Sequence, residues 1–176
     1  MGKTLELIKT RRSIREWEAT TIDRAILESL VTAAMWAPSS CNRQSTKFFF
    51  VSDMKDKQLL EEVSTGGKGF AHLAPVIAIL LSDLSIYNLP YERNLSYIDA
   101  ALAAQNFMLQ AADLGLGTCY LNWALPQPED DIILYNHFNL PEHMVIVGLI
   151  PLGYPKKDKE VPVSERKPLE EFVLKW

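Results

Sequence analysis

The chain has little of what usually fixes a function class early. Its 176 residues hold two cysteines, Cys41 and Cys119. That number gives neither a zinc spacing nor a disulfide framework, and a buried free thiol is the ordinary fate of such a residue. The histidines, His72, His137 and His143, have no mate at metal-ligand spacing. Each is expected to be structural, and no Ser-His-Asp arrangement can be argued. No G-x-G-x-x-G follows a strand, and there is no P-loop lysine. Gly66-Gly67-Lys68-Gly69 lacks phosphate-cradle spacing and reads as a turn; Gly115-Leu116-Gly117-Thr118 reads as a helix stop turning into a strand. Positive charge is not in excess. The net charge of −4 and pI near 5.4 exclude broad nucleic-acid or anionic-membrane binding. The longest apolar run, residues 74–81, is too short to span a bilayer. Residues 1–12 alternate charged and apolar side chains, without the apolar stretch of a signal peptide. A soluble, cytoplasmic protein with no nucleic-acid or membrane partner is expected.

What is present suits one domain, residues 1–176, with an apolar fraction of 48% and a charged fraction of 23%. A chain of this size buries roughly 70% of its unfolded surface. Residues 4–10 carry a short helical pattern. Thr20-Thr21-Ile22-Asp23 could cap a helix running through Ile26, Leu27, Leu30, Val31 and Ala34. Residues 47–51 and 75–81 read as strands apolar on both faces, as in a sheet covered by helices on each side. Between them, residues 53–63 form a charged amphipathic helix. Residues 96–114 give the strongest helical pattern, with Ile98, Leu102, Phe107, Leu109 and Leu114 as anchors and Gly115 as the stop. Residues 118–121 suggest a strand, 129–135 a short helix, and 144–152 a strand containing Gly148. The alternation predicts a layered α/β or α+β fold. The tail, residues 156–176, is an arm whose Phe172, Val173, Leu174 and Trp176 are costly to leave in water. It is expected to dock on a core, its own or a partner's.

Two segments concentrate polar chemistry. Arg11, Arg12, Ser13 and Arg15 place three cations and a hydroxyl within five residues. Guanidinium forks fit a phosphate monoester bidentately; a solvated basic helix end, favoured by the dipole, is the other open reading. Ala37-Pro38-Ser39-Ser40-Cys41-Asn42-Arg43-Gln44 packs hydroxyls and amides after a proline. Asn42 and Gln44 can each donate and accept, matching the pyrimidine edge of a flavin. A helix-ending turn, with Ser39 or Asn42 bonding backbone groups, is the alternative. Asp83 and Glu92 flank a tyrosine-rich stretch, residues 87–97, that suits a pocket lining or an interface.

Taken in order, these motifs resemble the FMN-dependent nitroreductase family. Arg11 to Arg15 match an R-R-S-x-R start, and residues 37–44 match A-P-S-S-x-N-x-Q. Gln105-Asn106 leads into G-L-G-T-C at residues 115–119. Gly153-Tyr154-Pro155 and the R-K-P-L-E-E segment at residues 166–171 match the family's end. The resemblance implies an α+β fold with a central mixed, mostly antiparallel sheet flanked by helices. It implies a homodimer whose C-terminal arms, near residues 156–176, are exchanged, with two FMN sites at the interface.

Carried over by position, Arg11, Arg12 and Ser13 would hold the phosphate and ribityl chain, joined by Arg166. Arg15 and Lys68 would face the polar edge of the ring. Pro38, Ser39, Ser40, Asn42 and Gln44 would come from the opposite subunit. Tyr120-Leu121-Asn122-Trp123 matches the stretch whose backbone N–H faces flavin N5. The implied activity is hydride transfer from NADH or NADPH through FMN to an electron-poor small molecule, a nitroaromatic, a quinone or similar. Alternatives on the same fold are reductive dehalogenation, flavin breakdown, or a non-catalytic FMN-binding or scaffold protein. Ser164 stands where many members have a second basic residue, and Trp123 where a glycine is common. Only residues 84–96 fill the place of a larger helical lid. No side-chain acid or base is required for hydride arrival, so none is assigned.

Overall fold

The computed structural model describes residues 2–89, 92–122, 130–159 and 161–176, without the Arg93 side chain. Helices α1 (Lys3–Thr10) and α2 (Arg24–Met35) precede strand β1 (Thr46–Val51). Helix α3 (Met54–Val63) leads to β2 (Val76–Asp83), and α4 (Arg93–Asp113) to the short strands β3 (Gly117–Thr118) and β4 (Leu121–Asn122). Helix α5 (Ile132–Phe138) and β5 (Met144–Gly153) complete the body. The predicted strand at residues 118–121 is thus two short strands, and the helix expected at 129–135 begins at Ile132; Glu129 lies outside the described residues. At α3 the side chain of Asp53 accepts from the N–H groups of Lys55 and Asp56. Asp23 stands at the N-cap of α2 without such a bond.

The sheet runs β1-β2-β5-β3, with β4 also on β5. Every named ladder is antiparallel. Among the described residues the parallel component is one isolated bridge, Ser13 to Thr118. β2 is buried on both faces, as expected. β1 is not: it lies at the sheet edge and its burial alternates, leaving Phe49 outside the core proper while Phe48 and Phe50 pack on Phe107. An edge strand is covered on fewer sides, and its pleat shows.

Two cores lie on the two faces of the sheet. Ile77, Ile79 and Leu81 join Ile14, Trp17, Leu60, Leu121 and Leu134. Val76, Ala78 and Leu80 join Leu30, Ala103, Phe107 and Ile150. A register shift between Leu80 and Leu81 changes the side-chain parity of β5, so Ile146 and Leu149 share one core while Val147 and Ile150 share the other. Gly148 lies in the shifted stretch because a Cβ there would stand 2.9 Å from the Leu121 carbonyl oxygen.

The inward face of α4 differs in part from the expected one: of the expected anchors Phe107 is buried and Leu109 half-buried. Ala100, Ala103, Ala104, Phe107, Met108 and Ala111 are buried, whereas Ile98, Leu102 and Leu114 are exposed. Small residues let α4 approach α2 and the sheet closely, and the larger aliphatics are left outside. The helix ends as predicted. Gly115 sits at φ +75°, Leu116 N–H donates to the Ala111 carbonyl at 2.8 Å, and Gly115 N–H to that of Ala112 at 3.1 Å. The tail starts on its own chain, with Val161 packed against a core and Lys159 paired with Glu16 at 3.2 Å, but its apolar end is left out: Phe172, Leu174 and Trp176 are exposed.

Candidate functional site

The arginine segment leaves the C-terminus of α1 and runs beside β3. Ile14 N–H donates to the Thr118 carbonyl at 2.9 Å, and the Trp17 indole donates to the Gly117 carbonyl at 2.9 Å. Gly117 is required there, since a Cβ would lie 2.5 Å from Ile14. Buried Ile14 and Trp17 thereby hold Arg11, Arg12, Ser13 and Arg15 at the surface. Arg12 serves the helix end: its guanidinium donates to the Lys9 carbonyl at 2.5 Å and the Arg11 carbonyl at 2.9 Å. Among the described residues, neither Arg11 nor Arg15 is ion-paired with a carboxylate. Behind them lies the buried thiol of Cys119. Burial pushes its pKa up, against the pull of Arg15, a hydrogen bond with Ser13, and Arg11.

The glycine loop closes on the same region. Gly67 and Gly69 take φ +84° and +83°. A Cβ on Gly67 would lie 2.5 Å from Leu121 Cδ1, and the position of one on Gly66 is 3.6 Å from the Asn122 carbonyl oxygen. The loop bearing exposed Lys68 is therefore pressed on β4. Its far end is clasped by Glu61, which accepts from Gly69 N–H at 2.6 Å, His72 N–H at 2.9 Å and the His72 ring at 2.7 Å. Burial raises the Glu61 pKa, but the His72 and Gly69 hydrogen bonds outweigh it and hold the carboxyl below its ordinary value. Just beyond the loop, Phe70 lies under Arg15, guanidinium to ring centroid 5.8 Å. Arg15, the Lys68 loop, Leu121 and Asn122 thus form one neighbourhood. Tyr120 points to the other core, its phenol 3.4 Å from the Val147 carbonyl oxygen and its pKa raised by burial.

The loop of residues 37–44 is built differently. Cys41, Asn42 and Gln44 all take left-handed φ, 52°, 56° and 52°, which asparagine tolerates but which is strained for cysteine and glutamine. Ser39 Oγ accepts from Gln44 N–H at 3.0 Å, and the Gln44 amide donates to Asn42 Oδ1 at 3.2 Å. Ser39 therefore serves the turn, as the structural reading of the sequence had it. Pro38, Ser39 and Gln44 border an apolar cavity of about 520 Å³ floored by Phe48, Phe50 and Ala103. Ser13 and Arg15 border a different one, of about 140 Å³, with Lys156, Lys159 and Val161. The two share no lining residue, so the two segments border separate cavities within one chain. Arg166 is exposed and donates to the carbonyls of Ser164 and Glu165; no hydrogen bond links it to residues 11–13 among the described residues. Trp123 lies outside the described residues.

Sequence reasoning missed the supports. Asp99, 3% exposed, accepts both the N–H and the hydroxyl of Ser40. Arg43 pairs with Glu92 at 2.7 Å and lies over the Tyr87 ring at 5.2 Å. The Glu92 hydrogen bond raises the Arg43 pKa and lowers that of Glu92. A signal existed for Asp99: it sits on the helical stripe of Ala100, Ala103 and Phe107. The histidines are structural where their partners are recorded, His72 on Glu61 and His137 on Asp56. No group of three or more potential metal ligands occurs among the described residues. No helix among them is long and apolar enough to cross a membrane.

The profile of the nitroreductase family matches residues 8–68 and 55–154. A protein of Archaeoglobus fulgidus, provisionally named an NADH dehydrogenase/NAD(P)H nitroreductase, is 31% identical over 160 residues, covering 91% of this chain and 90% of its own. A provisionally named nitroreductase of Desulfovibrio desulfuricans, solved in complex with FMN, superposes with a TM-score of 0.85 at 25% identity, covering 100% of this chain and 98% of that one. An FMN-dependent nitroreductase of Clostridium difficile gives a TM-score of 0.80 at 25% identity, covering 98% of each chain.

Proposed function

Because the chain belongs to the nitroreductase family, we propose that it is an FMN-dependent oxidoreductase. It passes hydride equivalents from NADH or NADPH to an electron-poor small molecule such as a nitroaromatic or a quinone. The observation that carries this reading is the convergence of Arg15, the Lys68 loop and the β4 backbone, with Arg11 and Arg15 having no carboxylate partner among the described residues. The donor set fits the cofactor. Arg11, Arg12 and Ser13 offer cations and a hydroxyl for a phosphate. Arg15 and Lys68 offer positive charge to the polar edge of a ring that becomes electron-rich on reduction. When bound, FMN supplies a ring that takes hydride at N5 and passes electrons on. This chain's part is to hold the ring, to present the backbone of residues 120–122 to its N5 side, and to leave one face open.

The functional unit in this reading is a homodimer. Residues 38–44 of one subunit complete the site of the other, which accounts for two segments that border separate cavities within one chain. Exposed Met35, Trp36, Ile98 and Leu102, with the apolar tail, supply surface for it. In the dimer Arg166 would reach the phosphate.

The purified protein should be yellow and dimeric, and without oxygen its bound flavin should bleach on addition of NADH or NADPH. A colourless protein that refuses added FMN overturns the reading. Flavin that bleaches only with dithionite leaves a binding protein rather than a reductase.

A further inference from the structure

Asp99 is a buried carboxylate on the inward face of α4, among alanines, Phe107, Met108 and Ser96. Burying a carboxylate is expensive unless it is hydrogen-bonded, and an apolar residue would pack there more cheaply. Its acceptor capacity is not spent on its own helix. Ser40 N–H lies 3.0 Å from both Oδ1 and Oδ2, and Ser40 Oγ 3.0 Å from Oδ1. Tyr87 O–H donates to Oδ2 at 2.8 Å. With its proton committed there, the Tyr87 oxygen accepts from Ser45 at 2.7 Å, and Ser45 accepts from Ser82 at 3.0 Å. The string is directed toward the carboxylate, and such strings polarise cooperatively. Ser45 and Ser82 are fully buried. Burial, with Asp99 accepting the hydrogen bond of its hydroxyl, keeps the Tyr87 pKa above its ordinary value. Ser40 is thus tied to the body of the protein at the start of a run in which three non-glycine residues hold left-handed φ. Strain of that kind persists only where the surroundings over-determine it.

We propose that Asp99 is a positioning residue: by gripping Ser40 it fixes residues 39–44 in the arrangement that presents Ser39, Asn42 and Gln44 to the flavin before the flavin arrives. The proposal rests on the flavin reading above. Asp99 borders the same cavity as Pro38, Ser39 and Gln44, but it is 3% exposed with both oxygens engaged, and its role in the proposal is exerted through the loop.

The test compares full-length wild type with Asp99→Ala, Asp99→Asn and Tyr87→Phe. Amide hydrogen exchange of the flavin-free protein reads the loop, in a peptide covering residues 37–45, and the fold, in β2 and β5. FMN titration and the visible spectrum of the bound flavin read the site. In Asp99→Ala, loop exchange should quicken and the FMN Kd should rise, each by about tenfold or more, as an acceptor is removed from buried donors. The bound spectrum should shift while β2 and β5 stay protected. Asp99→Asn keeps an oxygen for Ser40 N–H and should recover part of the loss. Tyr87→Phe should move both readouts the same way, by less. A folded Asp99→Ala with wild-type loop exchange and wild-type FMN affinity overturns the proposal, even if it melts earlier. If Asp99→Ala does not fold, unchanged loop exchange and Kd in the other two variants overturn it equally. If wild type takes up no FMN, the flavin reading fails by itself, and the exchange data still decide whether Asp99 fixes the loop.

Discussion

Residues 11–15 and residues 37–44 both carry polar groups for the candidate site, but they are settled in different ways. The arginine segment is held by apolar burial and backbone bonds, with Ile14 and Trp17 in the core and cations outside. Arg11 and Arg15 have no carboxylate partner among the described residues, so the segment is electrostatically unfinished. The serine-amide loop is the reverse. It carries backbone strain, yet Ser39, Ser40 and Arg43 are all hydrogen-bonded to protein groups. One half waits for an anion, while the other is shaped in advance. The pairing suits a ligand with a charged end and a flat polar end, where prior ordering of the loop lowers the entropic cost of binding.

The comparison can be broken most directly at the unfinished half. Replacing Arg11 and Arg15 together by alanine should weaken FMN binding by roughly 10²–10⁴-fold, since two charge-assisted contacts go. It should leave the melting temperature nearly unchanged, because no carboxylate among the described residues loses its counter-ion. A flavin fluorescence titration checks the first effect, and a large loss of stability would contradict the second. Next in size is Gly117→Ala. Its Cβ would press on Ile14 and lift the segment from β3, costing about 1–3 kcal/mol by urea denaturation. The equivalent loss should not follow Gly69→Ala by crowding, since nothing stands near a Cβ there; only its positive φ opposes the change.

The shaped half is sharpened by Gln44→Gly. Removing one left-handed side chain should stabilise the fold by about 0.5–1 kcal/mol while lowering FMN affinity. A variant that gains both would mean that Gln44 does not face the ligand. The smallest effect is expected from the Glu61 clasp. Its folded pKa lies below the unfolded value near 4.3, so its contribution is complete above that range and fades as pH falls through the lower folded value. Urea midpoints measured from neutral pH down into the acid range should show wild type losing more stability than Glu61→Gln. Equal losses would remove the clasp as a stabilising element.

Much of the fold was legible because it rests on local signals. The 3.6-residue spacing of Ile26, Leu30 and Ala34 marked α2, the Ala-rich run marked α4, and Gly115 marked its end. The unbroken apolar run of β2 announced a strand covered on both faces, which it is. The same reasoning failed at β1, whose composition resembles that of β2 although it lies at the edge. On α4 it placed Phe107 correctly but misplaced Ile98, Leu102 and Leu114, because a helix apolar on most sides does not say which side faces inward. Large aliphatics looked like anchors, yet alanines made the contact.

The sequence by itself determined which residues can bind: cations, hydroxyls and amides in two short segments, with a family-like order. Residue type and near-neighbour spacing suffice for that, because donor chemistry is local. Tertiary structure alone decided which of them meet. It put Arg15 over Phe70, pressed the Lys68 loop on Leu121, and brought Asp99 to Ser40 across 59 residues of chain. Contacts so distant in sequence are set by sheet register and helix packing, which no single segment encodes.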